Sequence, residues 1–130
     1  MSYFAWDPDL DVGVEAMNDQ HKELIAMMEG VYQKNISATD KKDILQSVAA
    51  LMDFVVKHFH DEEMYMASIG FPGLKVHKKI HQNLLTDLNR LIDNYTSNDD
   101  EIHLSEEFMA FLNLWIITHI MAVDTKYGED

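Results

Sequence analysis

The chain has no cysteine. That removes disulfides, thiol nucleophiles, iron–sulfur clusters and thiolate-bound zinc together, so any metal must be held by histidine and carboxylate. Only two prolines, Pro8 and Pro72, and five glycines punctuate 130 residues. So few breakers favour long helices over a fold with many turns. Cations are scarce too: 10 Lys and Arg stand against 23 Asp and Glu, a formal charge of −13. A surface that acidic argues against nucleic acid and anionic membranes as partners. No apolar run reaches the ~20 residues needed to cross a bilayer. The most apolar stretch, 108–123, contains Asn113, Thr118 and His119 and reads as a buried helix. The opening residues Met1–Asp7 carry neither a basic nor an apolar signal region, so the expected location is cytoplasmic.

What is present is a periodic apolar pattern. Nearly half the residues (47%) are hydrophobic, enough for one core in a single domain spanning 1–130. Residues 1–14 mix Phe4, Trp6, Pro8 and Gly13 and read as an extended N-terminal arm, with Trp6 packing on the body. Met17, Leu24, Ile25, Met28 and Val31 recur at helical spacing and predict a helix over about 15–33. The stretch 35–40 breaks it, and Ser37 with Asp40 resembles a cap for a second helix over about 40–66, which carries Ile44, Val48, Leu51, Met52, Val55, Val56 and Phe59. Ser68–Gly73 is the clearest turn. A third helix covers about 74–95, and Ser105-Glu106-Glu107 caps a fourth over about 105–123. Four helices joined by short loops predict an all-α, antiparallel up-down-up-down bundle.

The chemistry lies in the histidines. His58 and Glu62 are four apart, as are His77 and His81, so each pair shares one helical face and forms a two-point claw for a metal. Counting about 1.5 Å of rise per residue, antiparallel neighbours bring His21, His58/Glu62, His77/His81 and His119 to similar heights, within about two turns. Asp124 follows His119 by five, about 140° round a regular helix, so the helix end must depart from α geometry for both to reach one site. Five imidazoles and two carboxylates exceed what one ion needs and fit two ions about 3.5–4 Å apart. Glu62 and Asp124 are the natural bridges. Iron, manganese and zinc all accept this ligand set.

These residues resemble the bacterial hemerythrins, a non-haem di-iron, oxygen-binding family. The match rests on Asp19-Gln20-His21, His58-Phe59-x-x-Glu62-Glu63-x-x-Met66, His77-x-x-x-His81 and Trp115-x-x-x-His119-x-x-x-x-Asp124, together with Trp6 and the Phe71-Pro72 turn. The resemblance implies two irons, one capped by His77, His81 and His119 and the other by His21 and His58. Glu62 and Asp124 would bridge them with an oxo or hydroxo ion, and dioxygen would bind at the iron of His21 and His58. It also implies an oxygen pocket walled by Leu24, Phe59, Trp115 and Ala122.

His60 and His103 are recruited by neither spacing nor resemblance and read as surface residues. Glu63 points about 100° away from Glu62, either supporting a ligand from behind or exposed. Met64 and Met66 read as packing, since thioethers prefer softer metals. Oxygen-activating di-iron bundles use about four carboxylates with a repeated Glu-x-x-His, a motif this sequence lacks. The expectation is therefore reversible oxygen binding for storage, transport or delivery by a monomer, with an unidentified protein recipient, and not enzymatic turnover. The alternatives are a di-iron reductase acting on peroxide or nitric oxide, and an oxygen- or redox-sensing module.

Overall fold

A computed structural model describes residues 4–6, 8–37, 40–97, 102–115 and 119. Four helices form an antiparallel bundle: α1 Glu15–Ser37, α2 Lys41–Ser68, α3 Leu74–Ser97 and α4 Glu106–Trp115. No strand occurs among the described residues. Each helix turns an apolar stripe inward, and the polar residues that matter sit inside those stripes. On α1 the buried positions are Met17, His21, Leu24, Ile25, Met28 and Val31. On α2 they are Ile44, Val48, Leu51, Val55, His58, Phe59, Glu62 and Met66. Both sets advance by threes and fours, the spacing that keeps side chains on one helical face. Histidine and glutamate there have replaced residues that would otherwise be core.

The helix ends follow local chemistry. α1 runs to Ser37, beyond the expected end near 33, because Asn35–Ser37 stay helical and Ser37 Oγ donates back to the Gln33 carbonyl at 2.9 Å. Asp40, not Ser37, is therefore the cap of α2: its backbone is extended and its carboxylate accepts from Lys42 N at 2.9 Å. At the far end Gly70 adopts φ 65°, Phe71 N donates to Met66 O and Gly70 N to Ala67 O. That is a Schellman stop, whose left-handed residue glycine adopts without a side-chain clash. It reverses the chain within five residues and starts α3 at Leu74. Ser105 Oγ accepts from Phe108 N at 3.1 Å and caps α4 as expected, with Glu106 and Glu107 in its first turn.

Two side-chain clamps tie distant segments. Asn35 accepts from Leu104 N at 2.7 Å and donates to Leu104 O at 3.5 Å, which joins the end of α1 to the approach of α4. Tyr95 OH donates to the Ile102 carbonyl and Lys41 Nζ reaches the Tyr95 carbonyl at 2.6 Å. N-terminal to α1, Phe4, Leu10 and Val12 are buried against the body, and Phe4 N donates to Glu29 Oε1 at 2.7 Å. Trp6 is partly buried against the same core, with Lys22 Nζ 5.1 Å above its ring. Two apolar residues of α2 face outward. Val56 is 50% exposed, because the inward stripe of α2 passes through Val55 and the next residue is rotated by about 100°. Met66 packs as expected, but Met64 is 60% exposed.

Candidate metal centre

Five histidines from different parts of the chain meet one carboxylate. His21 comes from α1, His58 and Glu62 from α2, His77 and His81 from α3, and His119 from beyond α4. All six are at most 4% exposed. The two oxygens of Glu62 divide the imidazoles between them. Oε1 lies 2.9 Å from His81 Nε2, 3.1 Å from His77 Nε2 and 3.9 Å from His119 Nε2. Oε2 lies 3.3 Å from His21 Nε2 and 3.5 Å from His58 Nε2. His81 Nε2 and His119 Nε2 are themselves only 3.3 Å apart. The result is two donor groups joined at Glu62: Glu62, His77, His81 and His119 on one side, and His21, His58 and Glu62 on the other, each with donor atoms within 4.8 Å of one another.

The electrostatics favour an anion at the centre. Burial pushes the Glu62 carboxyl up, but hydrogen bonds from His119, His21, His77 and His81 outweigh it and hold the group well below the ordinary carboxylate range. A buried carboxylate ringed by ring nitrogens is costly unless cationic charge joins it. Two divalent ions, one against each oxygen, would supply that charge and use the ring nitrogens as donors. The donor set fits such a pair by atom type, by its three-and-two division, and by burial.

Other partners hold the rings from behind. His81 Nδ1 lies 2.8 Å from Glu63 Oε2. His58 Nδ1 lies 2.8 Å from Gln20 Oε1, and Gln20 Nε2 donates to Asp61 Oδ2 at 2.9 Å. Asp61 in turn accepts from Lys57 Nζ at 3.3 Å. Burial pushes the Asp61 carboxyl up, yet the hydrogen bonds from Gln20 and Lys57 prevail and lower it. Sequence reasoning gave Gln20 no role. Its signals are its place in the Asp19-Gln20-His21 motif, about 100° round α1 from His21, and a side chain that both donates and accepts.

Apolar side chains pack beside the imidazoles. The Phe59 ring stacks on His81 with centroids 3.8 Å apart and planes 5° apart, and Trp115 meets it edge-on at 5.7 Å and 88°. Leu24, one turn along α1 from His21, is buried. His60 and His103 are exposed, in keeping with their expected surface roles. The backbone of His119 itself is π-helical, a wider winding than the α-helix. Asp124 and Ala122, expected as the second bridge and as part of the pocket wall, lie outside the described residues.

Comparison with known proteins agrees with this geometry. Over 129 residues the chain is 24% identical to a bacteriohemerythrin of Pseudomonas aeruginosa, covering 99% of this chain and 82% of that protein. It is 33% identical over 126 residues to a hemerythrin-like protein of Naegleria gruberi, covering 97% and 92%. A bacteriohemerythrin of Clostridium acetobutylicum is 28% identical over 127 residues, covering 95% and 98%. Crystal structures of hemerythrin mutants superpose with a TM-score of 0.88 at 26% identity, over 99% of this chain and 97% of theirs. The family model described as the hemerythrin HHE cation binding domain matches residues 12–129, and the chain belongs to the hemerythrin family.

Proposed function

We propose that this protein binds dioxygen reversibly at a pair of non-haem iron ions and serves to store, carry or deliver it. The observation that carries the reading is the division of five imidazoles between the two oxygens of one buried carboxylate. His77, His81 and His119 would hold one ion, His21 and His58 the other, with Glu62 and Asp124 bridging. Iron in that setting supplies the electrons that dioxygen borrows on binding and returns on release.

The chain's own residues do the rest. Glu62 spans both halves and fixes their separation. Glu63 and Gln20 orient His81 and His58 so that each ring turns its Nε2 inward. Phe59, Trp115 and Leu24, with Ala122, would wall the oxygen pocket and keep water and protons from the reacting atoms, which favours release of intact dioxygen over loss of its reduced form. Two carboxylates against five imidazoles would make bound ions poorer electron donors than a carboxylate-rich site does, which would disfavour O–O cleavage. No helix among the described residues is long and apolar enough to cross a membrane.

Metal analysis with an optical spectrum recorded alternately under air and nitrogen tests the proposal. Two irons per chain and a spectrum that cycles repeatedly are expected. A single ion at full loading, or rapid turnover of peroxide or nitric oxide, would contradict it.

A further inference from the structure

The two halves of the site are supported by different chemistry. Behind His81 stands the carboxylate of Glu63, at 2.8 Å from Nδ1. Behind His58, at the same 2.8 Å, stands the neutral amide of Gln20. The orientation of that amide follows from its other neighbour. Asp61 is a carboxylate beside Lys57 and can only accept. Gln20 must therefore turn its NH2 toward Asp61, at 2.9 Å, and its carbonyl oxygen toward His58. An amide oxygen also only accepts, so His58 carries a proton on Nδ1, which leaves Nε2, 3.5 Å from Glu62 Oε2, as the nitrogen that can take an ion. The carboxylate of Asp61 on α2 thus orients an amide on α1, which in turn fixes the proton of a buried ring back on α2.

We propose that Gln20 is a positioning residue for the His21–His58 half: its amide locks His58 as the Nδ1–H tautomer and, being neutral where Glu63 is an anion, leaves that half the more weakly binding of the two. A carboxylate behind an imidazole draws its proton and makes the opposite nitrogen a stronger donor; an amide does so far less. The half that holds dioxygen in the reading above would then be the half with the less tightly bound ion. The inference rests on that reading for its functional meaning, but the tautomer itself does not depend on it.

The test uses the full chain, with zinc(II) as a diamagnetic probe and nitrogen-15 NMR of the imidazole rings. In the wild type His58 should show its proton on Nδ1 in the metal-free protein, and zinc should bind in two distinct steps. Gln20→Leu should mix or reverse the His58 tautomer and weaken the second step by about 10–100-fold, the usual effect of losing such a support, while the first step moves less than about twofold. The paired change Q20E/D61N places a carboxylate behind His58 and keeps a donor opposite it; it should tighten the second step by about tenfold. Should Gln20→Leu fail to fold, Asp61→Ala at the surface frees the amide to rotate and should still mix the tautomer. An Nδ1–H tautomer and two zinc steps left unchanged by Gln20→Leu would overturn the proposal, as would equal weakening of both steps. If the wild type takes up no second ion, the di-iron reading fails by itself, and the His58 tautomer in the metal-free wild type and variants still decides the role of Gln20.

Discussion

The half of the site around His77, His81 and His119 and the half around His21 and His58 share one carboxylate but differ in nearly everything else. The first has three rings on Glu62 Oε1, an anion behind His81, and the flat face of Phe59 stacked on that ring. The second has two rings on Oε2, an amide behind His58, and Phe59 only tilted nearby at 5.9 Å. A site meant to hold two ions alike would be expected to surround them alike. Among the described residues, the first half has three rings to the second's two, and the one carboxylate seen behind a ring, Glu63, stands behind His81. Under the proposed function, the difference would suit a division of labour, with one ion anchored and the other left a position for a ligand.

The comparison can be broken most forcefully at Glu62. Replacing it with Ala removes the oxygen from both halves, so loading should fall from two ions to one or none; full loading by metal analysis would remove its bridging role. The next largest effects separate the halves. His58→Ala should leave one ion bound in the three-ring half, and His81→Ala should weaken the ion in that same half; if both variants lose the same ion by competition titration, the division is wrong. A middle-sized effect comes from Glu63→Gln, which makes the support of His81 resemble that of His58. It should cost about 10–100-fold in affinity at the three-ring half and narrow the gap between the two binding steps. Trp115→Ala should destabilise the fold by about 3–5 kcal/mol in denaturant unfolding, as large core truncations do, and should hasten autoxidation of the iron-loaded protein. An unaltered oxidation rate would remove Trp115 from the pocket wall. The smallest effects belong to His60→Ala and His103→Ala. Both rings are exposed, so loading should not change and stability should stay within about 0.5 kcal/mol.

Much of this site is legible along the chain because helical spacing is local. His58 with Glu62, and His77 with His81, are four apart and share a face whatever the helices later do. The cap at Ser105 and the stop at Gly70 are local too, since each depends on a few adjacent residues. Where competing local options exist the reading slips. Ser37 and Asp40 can both cap, and the choice went to Asp40 because Ser37 found the Gln33 carbonyl inside a longer α1.

Residue type and a fixed rise per residue were therefore enough to expect four helices and to put His21, His58, Glu62, His77, His81 and His119 at a common height, where the structure brings these six together. They could not say which oxygen of Glu62 meets which ring, nor that Gln20 reaches His58 and Asp61 across 38 and 41 residues. Those contacts depend on how each helix is rotated about its own axis, and that rotation is settled only when all the apolar stripes are packed against one another at once.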